Sequence, residues 1–430
     1  MKQEPSKPLN IVIYLADDLG YNDTGCYGSE IHKTPNIDRL AEGGVRFTDF
    51  HSNGCMCSPT RAALLTGRYQ QRCGMEYGLG NAIKHNGPRF GGISPEETTY
   101  GRAFAEHGYA TGFFGKFHTA KLPDFSPLNM GFQEFCGING GMDHHSRFNR
   151  SGERTWWVGR DLAQEEGYAT DLIADHALDF IKRHQSEPFL LYLADWCVHF
   201  PWQGPNDPAD FAEGVDNSGT PEKWGSQYPN EHKRAYKEMT EAQDRNVGRI
   251  AAKLEELGLA ENTLFIFISD NGGHSKVTDN APLRGGKSQL FEGGHRVPAV
   301  FSWPGTIPSG RTSLDTALTM DVFPTLLSLA GLEPPDGLDF DGMDMSAHLL
   351  NGAPLPERTL FWRYGEQALA RRGEWKYLKR GEEMLFDLAS DLSEERNLIA
   401  DKPALAKDLK EAFAEWEKDV ETNRLPPYWL

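Results

Sequence analysis

Four short runs of almost unbroken apolar residues punctuate the chain: Asn10 to Ala16, Pro188 to Ala194, Thr263 to Ser269 and Ala299 to Trp303. Runs of this length without polar alternation suit strands covered on both faces, as in a mainly parallel sheet. Between them, Asn36 to Glu42, Thr98 to Glu106, Thr170 to Arg183, Glu231 to Leu257 and Met320 to Leu329 are helical in pattern. The alternation predicts an α/β fold, one large mainly parallel sheet sandwiched by helices. From about Pro356 the pattern changes. Leu360 to Tyr364, Ala368 to Arg371, Trp375 to Arg380 and Met384 to Leu388 are short strand-like pieces separated by glycine and charged turns, which reads as an antiparallel meander. A last helix, Pro403 to Val420, carries Leu405, Leu409, Phe413 and Trp416 on one stripe, expected to pack on the meander. The expected division is a main α/β domain over 1–355 and a C-terminal subdomain of antiparallel strands and a terminal helix over 356–430. Two stretches, Asn139 to Arg160 and Phe200 to Asn230, lack periodicity. Long loops of this kind are either lids and binding loops or plain surface excursions.

In open parallel sheets, ligands sit beyond the carboxyl ends of the strands. Asp17 and Asp18 follow the first run, Asp270 and Asn271 follow another, and His199 lies shortly after a third. Three distant segments thus deliver polar groups to one edge. A fourth segment, Cys57-Ser58-Pro59-Thr60-Arg61 with Ala62 to Arg68, reads as a helix start. Pro59 suits a first helical position, since it lacks the N–H orphaned there, and Gly67 can stop the helix. Cys57 is then expected just before a helix N-terminus, where backbone partial charge attracts anions, with the Arg61 fork one turn in. On its own residues the segment leaves alternatives open. A cysteine beside a helix is commonly a small buried hydrophobe. Cys55 and Cys57 lack a second Cys/His pair with zinc spacing. Cys55 and Arg61 have the spacing of a thiol-phosphatase loop, but the residues between them include no glycine to turn N–H groups onto a phosphate.

Charge narrows the partners. The 44 lysines and arginines stand against 62 acids, for a net charge of −18. Such a field repels nucleic acid and anionic membrane surfaces, and any anion site must concentrate its own basic groups. Six cysteines in 430 residues do not make a disulfide scaffold. No apolar stretch of about 18 residues exists, so no membrane-spanning helix is expected. Met1 to Asn10 is polar and lacks an apolar signal core. The location is therefore left open: periplasmic or secreted if a signal peptide was removed, cytoplasmic otherwise.

Hard oxygens at Asp17, Asp18, Asp270 and Asn271 suit Ca²⁺ or Mg²⁺, although each pair alone is also a good turn sequence. Basic groups come from Lys116 and His118, from His199, and from Lys287.

Taken together, these segments resemble the sulfatase family, formylglycine-dependent enzymes of the alkaline phosphatase superfamily. The Cys57-to-Arg61 core and its Thr66-Gly67-Arg68 extension carry the resemblance, which runs from Asp17 to Leu388. It implies an alkaline-phosphatase-like fold and a sulfuric ester hydrolase. It implies that Cys57 is oxidised to formylglycine by a formylglycine-generating enzyme, and that a hydroxyl of the hydrated aldehyde attacks sulfur to give a sulfated intermediate. One Ca²⁺ would be held by Asp17, Asp18, Asp270, Asn271 and position 57. Lys116, His118, His199 and Lys287 would bind sulfate oxygens with Arg61. Asp270 is expected as base for the attacking hydroxyl, His199 as acid for the leaving alcohol, and His118 as acceptor of the second hydroxyl proton. Sulfated carbohydrates are the expected substrates. Asp143, His144, His145, Arg147, Trp156 and His295 are the expected substrate contacts, with Trp157 offering a flat face for sugar rings and Arg150 a further cation. Two rivals keep the same fold: a phosphate or phosphonate ester hydrolase, and an inactive anion- or sugar-binding relative.

Overall fold

The computed structural model describes residues 7–78, 90–123, 125–216, 229–425 and 428–429. Its strands in chain order are β1 (Asn10–Ala16), β2 (Gly44–Phe47), β3 (Phe50–His51), β4 (Phe90–Gly92), β5 (Ala110–Lys116), β6 (Glu134–Ile138), β7 (Trp156–Val158), β8 (Asp161–Leu162), β9 (Phe189–Ala194), β10 (Thr263–Ser269), β11 (Ala299–Ser302), β12 (Arg311–Ser313), β13 (Ala317–Leu318), β14 (Thr359–Tyr364), β15 (Gln367–Arg372), β16 (Trp375–Arg380), β17 (Glu382–Asp387) and β18 (Tyr428–Trp429). The helices are α1 (Pro35–Glu42), α2 (Cys57–Thr66), α3 (Tyr100–Glu106), α4 (Ala169–Arg183), α5 (Pro229–Glu256), α6 (Glu292–His295), α7 (Val322–Ala330), α8 (Ser346–Asn351) and α9 (Pro403–Thr422).

Ten strands form one sheet in the order β12-β2-β11-β10-β1-β9-β5-β6-β7-β8. Its centre, β10-β1-β9-β5-β6, is parallel. The apolar run at β11 lies antiparallel between β10 and β2, so the sheet is mixed towards its edges. Along β1 the pleat sends Ile11, Ile13 and Leu15 into one core and Val12, Tyr14 and Ala16 into the other. The first core is closed by α2, α3 and α7, the second by α1, α4 and α5. Both faces of β1 are therefore dry, which is why its sequence shows no polar alternation.

The meander is an antiparallel sheet in the order β14-β15-β16-β17. Leu409, Phe413 and Trp416 of α9 pack on it. The same cluster takes in Cys55, Ala63, Leu290 and Phe291, so this sheet shares a core with the back of α2. Buried charges also cross this junction. Arg371 on β15 forks onto Asp49 at 2.9 and 2.7 Å, and Lys376 on β16 lies 2.9 Å from Glu292 and 2.8 Å from Glu394.

Candidate active site

Register brings the acids together. Ala16 pairs with Ser269, so Asp17 and Asp270 leave the sheet side by side. The Asp270 N–H donates to the Ala16 carbonyl at 3.0 Å, and the Asp18 N–H donates to Asp270 Oδ1 at 3.1 Å. Leu15 pairs with Ala194, and the chain beyond Ala194 is tied back: Asp17 N–H donates to Cys197 O at 2.9 Å and Val198 N–H to Asp17 O at 2.7 Å. That stitching carries His199 to the same edge. Lys116 ends β5 two strands away. The residue before it, Gly115, has φ 114°, and a Cβ there would lie 2.0 Å from the Ala194 carbonyl oxygen, so only glycine lets β5 approach β9.

Helix α2 starts at Cys57, with Met56 as its extended N-cap and Gly67 (φ 68°) as its left-handed stop. Pro59 is the third helical residue rather than the first. It is tolerated because the first four N–H groups have no partner within the helix. Cys57 is thus inside the first turn, and its thiol lies 3.3 Å from Asp17 Oδ1 and 3.8 Å from Asp18 Oδ1. Lys287 Nζ donates to both oxygens of Asp18 at 2.6 Å and reaches Cys57 Sγ at 3.4 Å. Lys116 Nζ donates to Asp17 Oδ2 at 2.7 Å.

Arg61 is fully buried. Its Nε and Nη2 donate to Asp270 Oδ2 at 3.0 and 2.7 Å, and Nη1 to the Lys116 carbonyl at 2.9 Å. The guanidinium therefore braces the carboxylates and β5 instead of facing open space. Asp270 spends both oxygens on Arg61 and the Asp18 N–H, and the carboxylate oxygen nearest the sulfur belongs to Asp17.

Electrostatics sort the groups. Burial, and after it Asp17, pushes Asp270 up to about 6. Burial would raise Asp18 as well, but Lys287, His199 and Lys116 hold it well below the usual carboxylate range. Burial, then Asp17 and Asp270, push the Cys57 thiol up, so an unmodified cysteine here stays protonated and is a poor nucleophile. Burial and then Lys116 push His118 well down; burial and then Lys287 do the same to His199. Both imidazoles are neutral.

A cation fits the donor set. Ligand atoms of Asp17, Asp18, Cys57 and His199 lie within 4.8 Å of one another. Asn271 donates through Nδ2 to Asp18 Oδ1 at 2.8 Å, and its buried Oδ1 has no hydrogen-bond partner among the described residues. An orphaned amide oxygen beside carboxylates is the kind of donor a hard cation takes.

The side chains expected to contact substrate are mostly engaged with partners inside the protein. Asp143 is buried and accepts from five donors: the His145, Ser146, Asp210 and Phe211 N–H groups and the Gln203 amide. It is the hub that folds two aperiodic loops together. His144 is fully buried against Tyr168 and Trp196, and the half-buried His145 reaches Gly204 O at 3.0 Å. Arg147 and Trp156 bury each other, the guanidinium 5.4 Å from the ring centroid, which leaves neither a face for sugar. His295 has no exposed surface; it meets His51 at 2.9 Å and Lys376 at 3.3 Å in the junction with the C-terminal sheet. Sequence reading missed Gln367, whose amide takes the Leu290 N–H at 3.0 Å and donates to Ser288 O at 3.1 Å, so β15 grips the Lys287 segment. It also missed Trp196, whose ring lies 4.4 Å from that of His199. The signal available for Trp196 was its place between β9 and His199.

Comparison with known proteins fits this geometry. A family model described as Sulfatase matches residues 9–332. The N-acetylgalactosamine-6-sulfatase of Canis lupus familiaris is 37% identical over 385 residues, spanning 85% of this chain and 70% of that protein. Arylsulfatase A of Homo sapiens is 35% identical over 392 residues, spanning 83% and 71%. The crystal structure of Ps i-CgsB in complex with k-i-k-neocarrahexaose matches with a TM-score of 0.84 at 29% identity, covering 99% of this chain and 95% of that one.

Proposed function

As the chain belongs to the sulfatase family, shares its alkaline-phosphatase-like fold and is a sulfuric ester hydrolase, we propose that the ester it opens is carried by a carbohydrate, and that the reaction uses formylglycine at position 57 and one bound Ca²⁺. The observation that carries the reading is the convergence of Cys57 with Asp17, Asp18, Lys116, Lys287 and Arg61 at the N-terminus of α2. A relative named N-acetylgalactosamine-6-sulfatase and a neighbour holding a neocarrahexaose support the carbohydrate.

Asp17, Asp18, Asp270 and Asn271 would hold the cation, with position 57 beside them. When bound, it supplies positive charge to a sulfate oxygen and to the hydroxyl at position 57. The chain's own side chains do the rest. Lys116 and Lys287 take sulfate oxygens. Asp17 Oδ1, the carboxylate oxygen nearest position 57, is placed to receive a proton from it. His199 donates Nδ1–H to Phe200 O at 2.7 Å, which leaves Nε2 for the leaving oxygen. That imidazole is neutral beside two lysines, and a sulfate anion entering the pocket offsets them and favours its protonation. His118, also neutral, suits the role of proton acceptor, and its buried Nδ1 has no partner among the described residues.

Initial rates on aryl sulfate, aryl phosphate and phosphonate esters, followed by a panel of defined sulfated oligosaccharides, test the activity. The expected result is hydrolysis of sulfate esters, abolished by chelation and restored by Ca²⁺. Faster turnover of phosphate or phosphonate would favour the rival chemistry. A mass spectrum of the Cys57 peptide that shows only unmodified cysteine in active protein would refute the formylglycine step.

A further inference from the structure

Resting on the sulfatase reading above, we propose that Trp196 is a positioning residue that holds the leaving-group acid, His199, and a sulfate-binding cation, Lys116, in one register. Trp196 is fully buried two residues beyond β9, and its Nε1 donates to the Met142 carbonyl at 3.1 Å, which fixes the rotation of the indole. The His199 ring lies 4.4 Å from it with the planes 28° apart. The Phe200 ring lies 4.3 Å from His199 at 29°. Two rings that close and that nearly parallel to one imidazole occupy its opposite faces, so His199 is sandwiched.

The sandwich sets the tilt of the imidazole, and the Nδ1–H bond to Phe200 O sets its rotation in plane. Only Nε2 is left, 3.7 Å from Asp18 Oδ2, at the edge where position 57 sits. His144 adds a brace from behind, its ring 5.7 Å from Trp196 and its Nε2–H donating to the His199 carbonyl at 3.3 Å. The same indole carries the Lys116 ammonium 4.8 Å from its ring centroid, where the negative face of the ring attracts a cation in a dry setting. One rigid side chain thus touches two groups that must meet different parts of the ester, the sulfate oxygens and the leaving oxygen. A misplacement of about 1 Å in such a constellation costs on the order of 100-fold in rate.

The test compares leaving groups. Trp196→Leu and Trp196→Phe are assayed on 4-nitrophenyl sulfate, whose phenolate departs without a proton, and on an active sulfated sugar, whose alkoxide needs one. Trp196→Leu is expected to lower kcat on the sugar about 100-fold while changing kcat on the nitrophenyl ester by roughly threefold or less, with KM raised on both because Lys116 loses its rest. Trp196→Phe, which keeps a ring face, is expected to recover most of the sugar kcat, and it reads the effect should the leucine variant not fold. Equal kcat losses on both leaving groups, or no loss on the sugar, would overturn the proposal. Wild-type protein that cleaves no sulfate ester at all would overturn the sulfatase reading itself, and the nitrophenyl control shows that before any variant is compared.

Discussion

Replacing Arg61 by lysine keeps the positive charge under α2 and removes only the fork. The guanidinium makes three bonds: two to Asp270 Oδ2, at 3.0 and 2.7 Å, and one to the Lys116 carbonyl at 2.9 Å. An ammonium on a flexible stem can replace one of them. Two are lost. Hydrogen bonds to charged groups contribute about 1.5–3 kcal/mol each, and the bond to the carbonyl about 1.5 kcal/mol, so the loss is about 3–4.5 kcal/mol. At about 1.4 kcal/mol per factor of ten, that is a 10²- to 10³-fold fall if it is felt wholly at the site. The kinetic form of the loss discriminates two roles. Arg61 has no exposed surface and braces Asp270 against β5, so kcat and calcium affinity should fall while KM for 4-nitrophenyl sulfate changes little. Had Arg61 been a sulfate ligand, as its place in the motif led us to expect, KM would carry the change. The companion variant Arg61→Met leaves Asp270 buried and unpaired and should destabilise the fold by about 3–5 kcal/mol. Adding Asp270→Asn should return stability but not activity. An Arg61→Lys enzyme within threefold of wild type in kcat and unchanged in calcium content would refute the bracing role.

Three further expectations follow from buried groups. Lys376→Met removes the cation that Glu292 and Glu394 share in the junction beneath the C-terminal sheet; Glu292 keeps Arg296 at 3.3 Å but Glu394 is left without a cation among the described residues, and the denaturation midpoint should drop by the equivalent of about 3–5 kcal/mol. Gly115→Ala forces a side chain into the left-handed region and onto the Ala194 carbonyl, which should cost at least about 2 kcal/mol and displace the adjacent Lys116; chemical unfolding and KM report the two effects. Burial holds His144 down at about 3 in the folded protein, against an ordinary value of 6.5. The unfolded chain therefore takes up a proton that the native site refuses, and stability falls as pH drops below 6.5, by up to about 1.4 kcal/mol per pH unit for this group. His144→Gln should flatten that limb of a stability–pH profile, and an unchanged slope would show the imidazole to be titrating in place.

The parts of this molecule legible in the sequence are those whose partners are all of one kind. β1 and β10 are covered by apolar residues on both faces, and their bounds were read to the residue. The meander was legible because its turns are short and charged. The short strands β2, β6, β7, β8 and β12, towards the two sides of the sheet, were not legible, since two to five residues with polar members carry no period. Site residues at strand ends were legible through position alone, because a parallel sheet brings every carboxyl end to one side. The surroundings of the residues expected to contact sugar were not legible, for the opposite reason. Trp156 and Arg147 sit in an aperiodic segment and look exposed, yet they satisfy each other in the interior. His295 draws its environment from Lys376, far along the chain, which no local pattern announces.

The charge of the site leads to a last prediction. Asp17, Asp18 and Asp270 face three cations, Arg61, Lys116 and Lys287, so the cluster is formally neutral inside a chain of net charge −18. Each lysine is spent on a carboxylate at 2.6–2.7 Å. A neutral pocket in a negative protein does not draw in an anion. A divalent cation held by the carboxylates and Asn271 changes the sum to +2 and competes with the lysines for the same oxygens, which leaves the ammonium groups to a sulfate. On the calcium reading proposed above, cation and sulfate binding would be coupled, and reciprocally so, by about 1–3 kcal/mol or 5- to 150-fold in affinity. Calorimetric titration of inorganic sulfate, with calcium present and with a chelator, measures the coupling without any turnover, and the reverse titration must return the same factor. Sulfate affinity that is indifferent to calcium would mean that the lysines serve the anion while still paired, and the carboxylates would then need another purpose.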